Sequence, residues 1–226
     1  NTFYSWTRDF SSVVYDGTHS DKRSDLITYQ SYNEFSRGIN SIPSSDANYT
    51  DNYKHIRRTN LLLQNAEAYA KPEDIKQYIG EAYFFRAYSY FDLLQLYGDV
   101  IITKKPLDIT DPEMKVKRND RSEVVDLIID DLNHAVENLP AFKELTTEEE
   151  GRISKEGAQA FLSRVALYEG TWQKSRNGNQ NTQRSANLLD IAAKAARTVI
   201  DAKYGYTFRL FGTDSETKIL GDSAQK

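Results

Sequence analysis

The segment from Tyr78 to Val100 constrains the fold more than any other part of the chain, because as a helix it is apolar on two sides. A helix turns by about 100° per residue, which assigns each side chain to a face. One face carries Ile75, Ile79, Ala82, Tyr90, Leu93 and Tyr97, and the other carries Phe84, Tyr88 and Phe91. The remaining polar stripe is narrow and consists of Gln77, Glu81, Asp92 and Gln95. Such a helix is predicted to lie between neighbouring helices, as the inner helix of a stacked array.

Apolar residues at helical spacing, and the signals that end each run, predict five helices. The first covers residues 51–70 and ends before Pro72, because proline cannot continue a helix. The second covers residues 73–97 and ends at Gly98, a residue type that is common just after helices. The tight turn around Pro72 predicts that these two helices form an antiparallel pair.

The third helix is predicted to begin at Asp120-Arg-Ser-Glu123, which is similar to a capping box, and to end near Pro140. The fourth begins after Ser154, and the fifth covers residues 187–202. Two helix pairs followed by the first helix of a third pair are typical of a solenoid. We therefore predict an all-α fold of tetratricopeptide-like stacked helix pairs with long decorating loops.

The same pattern divides the chain into three parts. Residues 51–210 form the predicted helical-repeat core, and residues 1–50 form a loop-rich N-terminal segment packed on that core. Residues 211–226 form a polar tail. We expect this tail to continue into a further C-terminal portion, because the fifth helix of a solenoid needs a partner.

Composition and charge exclude several classes of function. The net charge is -4 and Lys and Arg form no cluster, which argues against nucleic acid as a partner. No stretch approaches the roughly eighteen apolar residues of a membrane span, and the chain has no Cys. The 15 Tyr and 10 Phe residues suit both helix packing and sugar stacking, so their number alone does not choose between these roles.

We predict no catalytic residue, no cofactor and no metal site. His19, His55 and His134 each lack a second ligand at zinc-motif spacing. The sequence contains no glycine-rich phosphate loop, nucleophile elbow or dinucleotide fingerprint. Asp126 and Asp130 fall on the polar side of the third helix, which is predicted to be a solvated face.

Arg86 is predicted to lie in the apolar face of the second helix. A buried guanidinium needs a partner, so we expect a structural ion pair or hydrogen bonds to helix carbonyls. Asn60, which lies in the apolar stripe of the first helix, is interpreted in the same way.

Three stretches, in order, resemble the SusD/RagB family, the glycan-binding outer-membrane lipoproteins of Bacteroidetes-type bacteria. The hallmark is the sequence Arg86-Ala-Tyr-Ser-Tyr-Phe-Asp-Leu-Leu-Gln-Leu-Tyr-Gly-Asp-Val100. The other two stretches run from Asp51 to Glu67 and from Ile153 to Trp172. Members of this family are longer than this chain, so the resemblance implies that the chain corresponds to the N-terminal portion of one.

The resemblance also implies a function, which is non-catalytic binding on the cell-surface side of the outer membrane. The ligand would be an oligosaccharide or another nutrient. The partner would be a SusC-like TonB-dependent transporter that receives this ligand. Contact with the membrane would occur only through a lipid anchor upstream of this chain.

Carbohydrate recognition needs flat rings together with short, fixed polar side chains. The N-terminal region interleaves the two outside any helical period, where rings are harder to explain as helix packing. The predicted ligand-binding residues are Tyr32, Asn33, Arg37, Asn48, Tyr49 and Trp6. Trp172 extends the inward stripe of the fourth helix, which favours packing.

Two other classes of function remain open on the sequence alone. A helical-repeat adaptor would bind a peptide or protein in a groove lined with Asn, Lys and Arg, whereas a glycan binder would expose coplanar rings. A glycan-cleaving enzyme would need two carboxylates about 5 to 10 Å apart across a cleft. No motif in the sequence supports the enzyme.

Overall fold

The computed structural model describes residues 3, 4, 38, 39, 41–149, 151–176 and 182–208. Its contacts form two compact units, Asn1–His55 and Ile56–Lys226. The described residues contain five α-helices: α1 (Ala47–Glu67), α2 (Lys76–Tyr97), α3 (Arg121–Asn138), α4 (Lys155–Arg176) and α5 (Thr182–Ile200). Short 3-10 helices cover Pro72–Ile75, Pro112–Lys115, Phe142–Glu144 and Thr147–Glu149.

The all-α prediction is confirmed. No β-strand occurs in the part of the chain that the structure describes, and strand-like pairing there is limited to one antiparallel bridge between Val100 and Asn119. The five helices follow the predicted order and are consistent with tetratricopeptide-like stacking.

The first helix begins four residues earlier than the predicted start at residue 51, because Asp46 caps it. The Oδ1 atom of Asp46 accepts a hydrogen bond from the backbone N–H of Asn48 at 2.9 Å. The carbonyl oxygen of Asp46 accepts another from the N–H of Thr50 at 3.1 Å. These bonds satisfy N–H groups that have no partner within the helix. Tyr49 continues the stripe of Tyr53 and Ile56 at helical spacing, so the predicted start at residue 51 was too late.

The start of α3 agrees with the predicted capping box. The carboxylate of Glu123 accepts a hydrogen bond from the backbone N–H of Asp120 at 3.1 Å. The N–H of Arg121 donates to Oδ1 of Asp99 at 2.9 Å. Because Asp99 directly follows Gly98, which ends α2 with a φ of 72°, the end of α2 and the start of α3 are fixed to each other.

Helix α2 is buried on two sides, as its sequence predicts. It packs closely on α3, and α4 packs on both α3 and α5. Tyr90 and Leu93 on its first face are completely buried. On its other face, the rings of Phe84 and Phe91 lie 5.4 and 5.5 Å from the ring of Phe161 in α4. The helix is therefore buried on both sides, and its second side makes aromatic contacts with α4.

A glycine allows α2 to pass close to the end of α3. A Cβ atom at Gly80 would lie 2.9 Å from both Cγ and the backbone nitrogen of Leu139. Real Cβ atoms do not approach other atoms this closely, so only glycine fits between the two backbones without movement.

Arg86 forms the predicted structural ion pair, and its partner is Asp131 of α3. The guanidinium donates from Nε and Nη2 to the two carboxylate oxygens of Asp131 at 2.8 and 2.6 Å. Its Nη1 atom donates to Oδ1 of Asn60 in α1 at 2.8 Å. All three residues are at most 5% exposed. One buried guanidinium thus joins α1, α2 and α3.

The same network fixes the segment that follows α2. Nδ2 of Asn60 donates to the carbonyl oxygen of Thr103 at 2.9 Å. The N–H of Thr103 donates to the hydroxyl of Tyr90 at 2.8 Å. Burial raises the pKa of the Tyr90 phenol, so Tyr90 stays neutral and acts as a hydrogen-bonding group at physiological pH.

The charges of the central pair are balanced within the protein. Burial acts to lower the pKa of Arg86, but the hydrogen bonds and charge of Asp131 raise it above its ordinary value. For Asp131 the two effects have the opposite signs. Burial raises the pKa of its carboxyl group, and the hydrogen bonds and charge of Arg86 act to lower it. Each group therefore depends on the other to remain charged in this environment.

Two further arginines hold buried carboxylates. Nε of Arg121 donates to Glu169 of α4 at 2.8 Å, and Nε of Arg152 donates to Glu81 of α2 at 2.7 Å. Both glutamates are completely buried. The polar stripe of α2 is therefore buried at Glu81. Helical periodicity alone does not predict this burial, because Arg152 lies in the loop before α4, far from Glu81 in the sequence.

We expect Arg86→Ala to lower the free energy of unfolding by about 3 to 5 kcal/mol, because it leaves the Asp131 carboxylate buried without its partner. Arg164→Ala, at an exposed position of α4, is the control and should change stability by no more than about 0.5 kcal/mol. Chemical denaturation measures both effects. The double variant Arg86→Met/Asp131→Leu should lose less than Arg86→Met alone, and an unchanged stability of Arg86→Ala would contradict the buried pair.

We expect Gly80→Ala to lower the free energy of unfolding by about 1 to 3 kcal/mol, because the new methyl group must displace the backbone at Leu139. This cost exceeds the gain of about 1 kcal/mol in helix propensity. Gly157 in α4 provides a matched control, since its nearest neighbour would lie 3.8 Å from a Cβ atom. Gly157→Ala should be neutral or stabilising in the same denaturation experiment. Equal effects of the two substitutions would show that α2 and α3 do not approach so closely.

Candidate functional site

Two of the six predicted ligand-binding residues, Asn48 and Tyr49, lie in the described part of the chain, in the first turn of α1. The other four lie outside the described residues: Trp6, Tyr32, Asn33 and Arg37. The structure therefore gives a geometry for Asn48 and Tyr49 alone among the six predicted residues.

Hydrogen bonds fix the polar side chains of this turn. Oδ1 of Asp46 accepts from both the backbone N–H and the side-chain amide of Asn48, at 2.9 and 3.1 Å. The carbonyl oxygen of Asn48 accepts from the side-chain amide of Asn52 at 2.8 Å. The hydrogen bond and the charge of Lys54 lower the pKa of the nearby Asp51 carboxyl. The turn thus presents carboxylate and amide groups whose positions are set by the helix.

Two tyrosine rings lie beside these polar groups. The ring centroids of Tyr49 and Tyr53 are 4.8 Å apart and their planes are inclined by 48°. Both residues are partly exposed. Partly exposed rings next to fixed amides and carboxylates can contact the apolar faces and the hydroxyl groups of a sugar. The rings are tilted, so they do not form a single flat surface.

Trp172 has the packing role that its position in α4 predicts. Its ring lies 6.5 Å from that of Tyr168, and the guanidinium carbons of Arg121 and Arg176 lie 4.2 and 4.6 Å from its centroid. Arg121 is also held by the buried carboxylate of Glu169. The tryptophan therefore helps to bury an ion pair between α3 and α4.

A second cluster of exposed rings was missed by sequence reasoning. Phe142 contacts Tyr206 and Phe208, with ring centroids 4.6 and 5.5 Å apart. The three residues are 39 to 42% exposed, and their planes meet at 58 to 66°. They come from a 3-10 helix and from the segment after α5, and no periodicity connects such distant residues. Only the fold brings them together.

A groove of about 570 Å³ lies between α3 and α5. Its floor is aliphatic, and its rim carries carboxylates, amides and one guanidinium. The two predicted solvated carboxylates, Asp126 and Asp130, lie on this rim. Their exposure agrees with the prediction, and Asp126 forms an ion pair with Arg184 at 2.8 Å.

Among the described residues, no group of three or more His, Asp or Glu side chains is arranged to hold a metal ion. No helix in this part of the chain is both long enough and apolar enough to cross a membrane.

Comparison with known proteins gives one consistent family. Residues 9–167 match a SusD-like family described as starch-binding and associating with the outer membrane. A SusD-like protein of Formosa agariphila is 33% identical over 133 residues, which cover 57% of this chain and 25% of that protein. The chain thus spans about a quarter of the length of this relative.

Solved structures of the same family resemble the fold. A SusD-like protein from Bacteroides fragilis has a TM-score of 0.69 and 25% identity over 96% of this chain and 39% of its own. A laminarin-binding SusD-like protein has a TM-score of 0.60 and 27% identity over 77% of this chain and 35% of its own. The family match covers more than half of the chain and includes both α1 and α2. This chain belongs to the SusD-like family of proteins that associate with the outer membrane.

Proposed function

We propose that this protein binds oligosaccharides at the cell surface without cleaving them and delivers them to a SusC-like TonB-dependent transporter. Two findings support the ligand class. The family that the chain belongs to is described as starch-binding, and one similar solved protein is named for binding laminarin. The proposed location is the outer face of the outer membrane, where a lipid anchor upstream of this chain would hold the protein.

The observation that carries this proposal is the first turn of α1, where Tyr49 and Tyr53 lie beside the fixed side chain of Asn48. Sugar binding requires an apolar ring and a polar group within reach of one pyranose, and this turn supplies both. The proposed site is completed by the four predicted residues of the N-terminal region: Trp6, Tyr32, Asn33 and Arg37.

The absence of catalysis is also part of the proposal. The carboxylates at the centre of the helical array serve as ion-pair partners, since Asp131, Glu81 and Glu169 each contact an arginine. A glycosidase needs one carboxyl group free to donate a proton and a second to act as base or nucleophile. Carboxylates engaged with guanidinium groups are poorly suited to the proton-donating role.

We expect Tyr49→Ala to weaken glycan binding by about 1 to 3 kcal/mol, or roughly 5- to 150-fold in Kd. The variant has no ring at position 49 that could be buried against the apolar face of a sugar. The measurement is calorimetric titration of the full-length protein with laminarin and with soluble starch. Tyr69→Ala, which removes an exposed ring near the far end of α1, is the matched control and should leave Kd unchanged.

Two results would count against the proposal, in different ways. A full-length protein that binds neither these polysaccharides nor others such as xylan and mannan would contradict the function itself. If the protein binds a glycan and Tyr49→Ala lowers the melting temperature but leaves Kd unchanged, Tyr49 is a packing residue and the site lies elsewhere.

A further inference from the structure

The groove between α3 and α5 has the properties of a separate binding site. Its volume of about 570 Å³ lies within the range of roughly 300 to 1,000 Å³ that is common for ligand sites. The floor consists of Ile129, Leu188 and Ile191. Because α4 packs against both α3 and α5, the two walls are held in place by a common neighbour.

The polar groups on the rim have unused hydrogen-bonding capacity. Gln183 donates from Nε2 to Oδ1 of Asn187 at 2.9 Å, which leaves the amide N–H groups of Asn187 and the amide oxygen of Gln183 available. Asn133 is exposed, and its side chain lines the groove. Nε of Arg184 is buried and has no partner in the described part of the chain. Donors and acceptors are therefore both present along the groove.

The rim also carries a surplus of negative charge. Arg184 is committed to Asp126, with Nη2 and Oδ1 2.8 Å apart, and it also donates to the carbonyl oxygen of Ser122 at 2.9 Å. Oδ1 of Asp130 lies 3.8 Å from Nε2 of His134, which is longer than a hydrogen bond. Two carboxylates and one guanidinium leave about one negative charge facing the groove, which favours a cationic group on the ligand.

The groove lacks the surface that a sugar would need. None of its nine lining residues is aromatic, so no ring can stack on a pyranose. A peptide in an extended conformation presents alternating N–H and C=O groups to amide side chains and directs a side chain towards an apolar floor. Helical-repeat proteins commonly bind partners on surfaces to which several stacked helices contribute.

We infer that the α3–α5 groove binds an extended peptide segment of a partner protein in which a lysine or arginine precedes an aliphatic residue. The aliphatic side chain lies on the floor formed by Ile129, Leu188 and Ile191. The cationic side chain lies beside Asp130. The peptide backbone bonds to the amides of Asn133 and Asn187. This site is independent of the glycan site proposed at α1.

Synthetic hexapeptides test the inference directly. Three fluorescein-labelled peptides share a central leucine, which is preceded by lysine, serine or glutamate, and their binding to the full-length protein is measured by fluorescence polarisation. The lysine peptide should bind about fivefold more tightly than the glutamate peptide at low salt. The variant Asn133→Ala/Asn187→Ala should bind the lysine peptide about tenfold more weakly, since it removes the backbone contacts.

Control variants separate the groove from general effects. Asn65→Ala/Gln95→Ala removes two exposed amides elsewhere on α1 and α2 and should leave peptide binding unchanged. Asp130→Asn should abolish the preference for lysine over glutamate while the leucine contact remains. All the substituted side chains are exposed, so the melting temperatures should agree within a few degrees.

Three outcomes would overturn the inference. The first is equal or undetectable binding of all three peptides, and the second is lysine-peptide binding that the groove variant leaves unchanged. The third is a loss of laminarin or starch binding in the groove variant with no effect on the peptides, which would assign the groove to a glycan. A failure of the protein to bind any glycan would not affect the peptide result, so the two proposals fail separately.

Discussion

The contact between Arg86 and Asp131 determines how the helical array can be built. Both groups are almost completely buried, and two hydrogen bonds join the guanidinium to the carboxylate. A charge in this environment is tolerated only when its partner is correctly placed, so the pair fixes the position of α2 relative to α3. Through Asn60, the same guanidinium fixes α1 and the backbone at Thr103. The aromatic face of α2 is then directed towards α4.

The interior charges also explain where binding can occur. Arg121 and Arg152 repeat the arrangement of Arg86, and each neutralises a buried glutamate. The centre of the array therefore contains charged groups that are already paired and has little capacity left for a ligand. Exposed amides and carboxylates line the groove between α3 and α5, and the partly exposed rings of Tyr49 and Tyr53 lie in the first turns of α1. These two places differ in chemistry, because the groove has no ring among its lining residues.

The sequence predicts the helices well because the residues that start, end and orient a helix lie within that helix or next to it in the sequence. The capping box at Asp120 and the glycine at position 98 mark real boundaries, and the two-sided apolar pattern of α2 correctly predicts an inner helix. The pattern also predicts that Arg86 must be paired, but it cannot identify Asp131, because the partner is set by the packing of two helices. For the same reason the pattern does not predict that Glu81, in the polar stripe of α2, is buried against Arg152.

The proposed binding sites are harder to predict from the sequence than the helices are. Exposed rings such as Phe142 and Tyr206 meet only in the folded chain, and the groove is formed by two helices that are not neighbours in sequence. Of the residues of the proposed glycan site, Trp6, Tyr32, Asn33 and Arg37 lie outside the described residues. Their assignment, and the division of the chain at residues 50 and 210, stay predictions.

The most direct test of the proposed function is a crystal structure of the full-length protein with the oligosaccharide that it binds most tightly in titration. The proposed site predicts a sugar ring within van der Waals contact of Tyr49, about 4 Å from its face, and a sugar hydroxyl bonded to Asn48. A sugar bound in the α3–α5 groove, or at a position that contacts neither residue, would contradict the proposed site.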